Sequence, residues 1–225
     1  MKRRVEVFTG AYASGKSEIS INRALSLSKE EKVTLIDLDT VEPAYTLRPL
    51  VKEIKELGVD VITQEDYFGL GEAGNVITPL QMNCLSIKGN LVIDVGYGVG
   101  GLDILEILPN IELEEDLNIY MVLNTSKPET FNKEAIIRYV EWSKGTSTKE
   151  WKKFKGVISN THLSHETTKE DVLRGYNKVK EASKELGLPI IAVVIDECLL
   201  NEIPTEEIDN TPIWTLNRLM PKALW

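Results

Sequence analysis

The chain has 225 residues, 42% of them hydrophobic and 27% charged, with a formal net charge of −9. These values exclude a disordered or fibrous chain and argue against a dedicated nucleic-acid binder, whose contact surface must neutralise phosphates. Cys84 and Cys198 stand far apart, which excludes a disulfide framework or a CxxC metal pair and fits two thiols in a reducing cytoplasm. No apolar run approaches the ~18 residues that would span a bilayer. None of signal-peptide length follows the basic start MKRR either, so the expectation is a soluble, cytoplasmic protein built as one domain over 1–225.

In chain order the pattern predicts a strand over 5–9, a helix over 16–27, a strand over 33–37, a helix over 47–57 and a strand over 59–63. A helix over 78–87, a strand over 91–95, a strand over 119–123 and a helix over 133–142 follow. A strand over 156–159, a helix over 169–186 and a strand over 190–195 complete the series. Strands that are apolar nearly throughout and alternate with helices predict a three-layer α/β/α fold with a mostly parallel sheet of about seven strands. Right-handed crossovers then bring the strand C-termini to one edge, where the chemistry is expected. The charge runs 112–116 and 149–155 read as solvated surface. The segment 211–225, with Trp214 and Trp225, reads as a tail packed on the domain.

Between the first strand and first helix lies Gly10-Ala11-Tyr12-Ala13-Ser14-Gly15-Lys16-Ser17, which matches GxxxxGK[ST] without a gap. Its chemistry is specific to a polyphosphate. Glycines let the backbone fold into a nest of inward N–H groups, and the helix that follows presents its positive end. Lys16 adds a full charge for the β- and γ-phosphates, and the Ser17 hydroxyl is a ligand for Mg²⁺. Glu18, next in line, is a candidate contact at the nucleotide edge, although an acid in a first helical turn is expected in any case.

A phosphate cradle needs carboxylates on neighbouring strands. LVIDVGYG ends an apolar strand in Asp94, the candidate Walker B residue that holds the metal. Gly96 and Gly98 after it allow backbone N–H groups to approach the γ-phosphate. VTLIDLD ends another strand in Asp37 and Asp39, whose i, i+2 spacing puts both on one face of an extended chain. Either is a candidate for metal ligation or for orienting an attacking water. A helix cap at Asp37 and a solvated Asp39 form the alternative.

A cradle on the first strand, DxD ending the second and Asp-x-Gly ending a later one resemble the MinD/ParA/CobQ-type (SIMIBI) group of P-loop ATPases, from Val5 to about Glu197. More narrowly, GAYASGKSEISINRAL, LIDLDTVEPAYTLR, VIDVGYGVGG and GVISNTHLSHETT resemble a bacterial family of ATP-binding proteins. The resemblance implies ATP and Mg²⁺ as cofactors, with Asn160 and Thr161 after a late strand reading the base. Asn124 is a rival for that contact. MinD/ParA-type ATPases carry a further lysine in the cradle, and Ala11 stands at that place. The chain is therefore read as a monomer or homodimer, without a lysine-bridged dimer.

Other residues carry weaker readings. His162 and His165 are read as exposed loop histidines, and Arg48 as a surface arginine with a cis arginine contact to the γ-phosphate as the alternative. Tyr45 and Tyr97 flank the expected phosphate position. The favoured function is slow, Mg²⁺-dependent ATP hydrolysis that switches an unidentified partner protein, with Lys16, Asp39 and Asp37 as catalytic candidates. The competitors are an ATP-dependent small-molecule kinase or ligase acting on an acceptor, and a nucleotide-binding module without turnover. GTP is disfavoured because no NKxD motif is present.

Overall fold

A computed structural model describes residues 3–40, 47–64 and 76–220. In chain order its elements are β1 (Val5–Gly10), α1 (Lys16–Ser28), β2 (Val33–Leu38), α2 (Val51–Glu56), β3 (Asp60–Ile62), α3 (Pro79–Met82) and β4 (Asn90–Val95). They continue with α4 (Gly98–Asp103), β5 (Leu117–Leu123), α5 (Lys133–Lys144), β6 (Phe154–Ser159), α6 (Lys169–Leu186), β7 (Ile190–Asp196) and β8 (Ile213–Leu216). The strands form one sheet in the order β3-β2-β4-β1-β5-β6-β7-β8, and every neighbouring pair is parallel.

The period of two along each strand divides the core into two layers. Val5 and Val7 of β1 face a cluster with Ile93, Ile119 and Met121, covered by Leu102 of α4, Ile136 of α5 and Val179 of α6. Phe8 faces the opposite cluster with Leu35, Val92 and Val122, covered by Ile19 of α1 and Ile54 of α2. Both faces are covered, which is why β1, β2 and β4 are buried at every residue and are mostly apolar. The strand order reverses at β1: the chain runs out through β2 and β3, returns to β4 beside β1, and then leaves through β5 to β8. A crevice at the C-terminal ends of β1, β2 and β4 follows from that reversal.

Four features differ from expectation. The sheet has eight strands, because part of the segment read as a tail is β8, an edge strand paired with β7. It is only four residues long and partly exposed, so it shows no apolar run. Trp214 does pack, against Phe8, with the Arg23 guanidinium 4.4 Å above its ring; Trp225 lies outside the described residues. The expected helix over 78–87 is the short α3 followed by a 3-10 turn at Cys84–Ser86. Conversely, α4 lies in a glycine-rich stretch where propensity predicts no helix. Tertiary contact supports it: Gly101 lies so close to the Gly96 carbonyl that a Cβ would sit 2.0 Å from that oxygen. Lys152, in a run read as solvated, is buried and paired with Asp103 and Glu106. Among the described residues no helix is long and apolar enough to cross a membrane.

Candidate functional site

The loop from Gly10 to Ser17 joins the end of β1 to the start of α1 at the reversal point of the sheet. A Cβ on Gly10 would lie 2.4 Å from Ser14 Oγ and 2.6 Å from the Val122 carbonyl, so only glycine fits there. Gly15 has φ +89° and caps α1, and Ala13 has φ +53°, a left-handed conformation that costs a non-glycine residue about 1 kcal/mol. Alternating left- and right-handed residues curl the backbone so that successive N–H groups face one point. Ser14 N–H closes the turn on the Ala11 carbonyl at 3.1 Å. The N–H groups of Ala13, Gly15, Lys16 and Ser17 have no protein acceptor among the described residues. A helix start with several open donors is a cradle for an anion.

Lys16 Nζ lies 2.8 Å from Asp39 Oδ2, both side chains being nearly buried. Burial alone would lower the ammonium pKa, but Asp39, Asp94 and Asp37 outweigh it and raise the value. Asp94 is 0% exposed, and one of its carboxylate oxygens, Oδ2, has no hydrogen-bond partner. Burial first, and then Asp39, push its pKa up to about 7, while Lys16 and Ser17 pull it down. An orphaned carboxylate oxygen beside a hydroxyl fits a hard cation that takes few protein ligands and completes its shell with water and phosphate oxygens. Among the described residues no group of three or more His, Cys, Asp or Glu forms a metal cage of its own.

Asp37 and Asp39 share the end of β2 but differ in surroundings. Asp37 is wholly buried and occupied by protein donors: Arg48 Nε at 3.0 Å, Thr63 Oγ1 at 2.9 Å and Asp39 N–H at 3.0 Å. Burial raises its pKa against the pull of Arg48. Asp39 instead faces the cradle through Lys16. Arg48, read from sequence as a surface residue, is an inward partner of this pair, with its side chain 16% exposed. Tyr12, at the rim of the cradle, meets Tyr97 of the β4–α4 loop edge to face at 6.2 Å. Thr9 Oγ1 donates to the Gly96 carbonyl at 2.9 Å and so ties that loop to β1. Tyr45 lies outside the described residues.

The residues expected at the base end are placed differently. The Asn160 amide donates to the Ser14 carbonyl at 2.7 Å, linking the end of β6 to the cradle itself. The Thr161 hydroxyl meets Thr125 at 3.1 Å, and its side chain presses on Gly175 of α6, where a Cβ would sit 2.1 Å away. Thr161 is thus engaged in packing. Asn124 binds the backbone of His162 and Ser126. The Glu18 carboxylate accepts the N–H groups of Leu219 and Met220. His162 is buried rather than exposed, and burial, then Arg218 and Lys127, lower its pKa to about 4. His165 is exposed as expected.

No protein-family model matches the chain. Among solved structures, FtsY of Mycoplasma mycoides superposes with a TM-score of 0.58 at 18% identity, over 87% of this chain and 61% of that one. A nucleotide-binding protein of Archaeoglobus fulgidus, in complex with ADP and with cobalt found, superposes with a TM-score of 0.50 at 18% identity, over 97% and 92%. The chain shares the P-loop NTPase fold of these structures. The tRNA dimethylallyltransferase of Sulfurimonas denitrificans is 28% identical over 124 residues, 51% of this chain and 41% of that protein. The chain thus spans less than half the length of that relative.

Within the P-loop NTPase fold, sequence reading missed the residues that hold the acidic pair. Thr63 and Gln81 lie in segments predicted as plain strand and helix. Gln81 closes the capping box of α3 with Thr78 while its amide donates to the Asp37 carbonyl at 2.6 Å. The Thr78-Pro79-Leu80-Gln81 spacing signals a capped helix start, but nothing in it shows that β2 lies within reach.

Proposed function

We propose that this chain binds ATP with Mg²⁺, hydrolyses it slowly, and acts as a nucleotide-controlled switch for a partner protein. The observation that carries this reading is the convergence of open backbone N–H groups, the Lys16 ammonium, the Ser17 hydroxyl and an orphaned oxygen of buried Asp94 on one hollow. Lys16 and the loop amides hold the β- and γ-phosphates, while Ser17 and Asp94 hold the metal. The metal supplies charge neutralisation on the phosphate oxygens. Asp39 orients the attacking water. Its oxygen bonds to the γ-phosphorus as the bond to the bridging oxygen breaks, giving ADP and phosphate.

Two described segments, 37–40 and 94–101, border the expected γ-phosphate end, and both rest on contacts that a change of ligand would alter. One begins at Asp39 on Lys16. The other is the Gly96 to Gly101 turn that starts α4, where Trp142 closes on Gly98. ATP is preferred over GTP because no NKxD guanine motif is present. Phosphate release from ATP and from GTP, with and without small-molecule acceptors, tests the reading on wild type and Lys16→Ala. Release from ATP without an acceptor, lost in Lys16→Ala, supports it. Release only with an acceptor assigns a phosphotransferase, and tight binding with no release assigns a binding module.

A further inference from the structure

Asp37 and Asp39 are joined by Arg48. The guanidinium Nε meets Asp37 Oδ2 at 3.0 Å, and Nη2 donates to the backbone carbonyl of Asp39 at 3.1 Å. A planar guanidinium bound at two points fixes orientation as well as distance, which an ammonium cannot do. The other main-chain group of Asp39 is also held, because its N–H donates to Asp37 Oδ1. Gln81 holds the Asp37 carbonyl from the α3 side. With its peptide groups held before and behind, the Cα–Cβ bond of Asp39 is aimed, and its carboxylate meets Lys16.

We propose that Arg48 is a positioning residue for the phosphate site: it holds Asp39 against Lys16, and a phosphate chain binds by displacing Asp39 from that ammonium. The displacement alone rests on the nucleotide-binding reading; the Arg48–Asp39–Lys16 linkage does not. The arrangement keeps the ammonium aimed and compensated before a ligand arrives. Losing the carboxylate without a replacement would strand a buried charge. On displacement Asp39 is delivered beside the γ-phosphate with its backbone still clamped. An arginine that reached the phosphate itself would have to release both of these contacts first.

Competitive acetylation of lysines in the full chain, without nucleotide and read by mass spectrometry, tests the linkage. Wild-type Lys16 reacts slowly because its ammonium is nearly buried and ion-paired with Asp39. Arg48→Ala raises its rate severalfold, because a released Asp39 no longer covers and pairs the ammonium. Arg48→Lys falls between the two, since it restores the charge on Asp37 without the fork. Lys152 serves as the internal control, being buried and paired with Asp103 and Glu106 in another part of the molecule. An unchanged Lys16 rate in Arg48→Ala overturns the proposal. So does an equal rise at Lys152, which would mean general loosening. Adding Mg²⁺ and the ATP analogue AMPPNP separates the two readings. If Lys16 of wild type gains no protection, nucleotide binding and the displacement step fall together, while the nucleotide-free result still decides the role of Arg48.

Discussion

The Glu18 carboxylate accepts the backbone N–H of Leu219 at 2.5 Å and that of Met220 at 3.1 Å, fastening the segment after β8 to the first turn of α1. One turn further along, Asn22 exchanges two hydrogen bonds with the backbone of Asn217. The helix that opens at the cradle is therefore bound along its outer side by the end of the sheet. Glu18→Ala leaves two N–H groups without their acceptor, and a buried donor costs about 1–3 kcal/mol when stranded. The expected outcome is a loss of that size in urea denaturation, with faster proteolysis around residues 217–220. An unchanged denaturation midpoint would show that water replaces the carboxylate at no cost.

Burying Asp94 without a paired donor on Oδ2 has a cost that function would recover. Its pKa is about 7 in the folded chain, against an ordinary aspartate value, so the native state binds the extra proton. Stability from this group therefore falls as pH rises towards 7 and stays low above it. Asp94→Asn removes the effect. The variant should be more stable than wild type at pH 8 by on the order of 2 kcal/mol, with the difference shrinking towards pH 4. The same variant should lose the Mg²⁺-dependent part of nucleotide affinity. Calorimetry with and without the metal, beside denaturation at both pH values, measures the two effects together. A variant that is less stable at pH 8 would contradict the burial argument.

His162 contributes with the opposite sign. Burial holds its folded pKa at about 4, with Arg218 and Lys127 adding to the effect and Asp196 opposing it. Between pH 6.5 and 4 the unfolded chain takes up a proton that the folded chain refuses, so this group makes stability fall as pH falls. The full window is worth about 3 kcal/mol. Because Asp94 acts in the other direction, the wild-type curve understates both. In His162→Gln the advantage of the variant over wild type should grow by about 2–3 kcal/mol from pH 7 to pH 4. Parallel curves would show that His162 titrates normally.

The fold was legible because parallel strands buried on both faces write their burial directly into sequence as β-branched runs, as in Val5–Gly10 and Asn90–Val95. The turn between β1 and α1 was legible because its demands are local: glycine at Gly10 and Gly15 and a helix that starts at once. What sequence did not show is set by contacts between distant segments. β8 is a strand that pairs with the edge of β7, and α4 starts where Trp142 of α5 closes on Gly98. Glu18 and His162 were misread for the same reason. A carboxylate at a helix start looks the same whether phosphate or residues 219–220 lie above it, and a loop histidine looks exposed although the fold buries it.

Asn160 offers the sharpest division between resemblance and geometry. The resemblance implies that its amide reads a purine edge, while the structure gives its NH₂ to the Ser14 carbonyl inside the cradle. The two roles predict different selectivity. A base reader lost in Asn160→Ala would change the ratio of ATP to GTP affinity, because adenine and guanine present opposite donor patterns to an amide. A cradle brace lost in the same variant would weaken both nucleotides alike. Removing the donor strands a buried carbonyl and relaxes the turn whose N–H groups face the phosphates. The expected result is therefore an equal loss for ATP, GTP and inorganic triphosphate, worth about 1–3 kcal/mol or roughly 5- to 100-fold. Asn160→Asp should be worse than Asn160→Ala, since a carboxylate placed against the Ser14 carbonyl repels it and adds negative charge beside the phosphate site. Triphosphate is the decisive ligand because it has no base. If its affinity is untouched while that of ATP falls, Asn160 acts on the base and the brace is incidental.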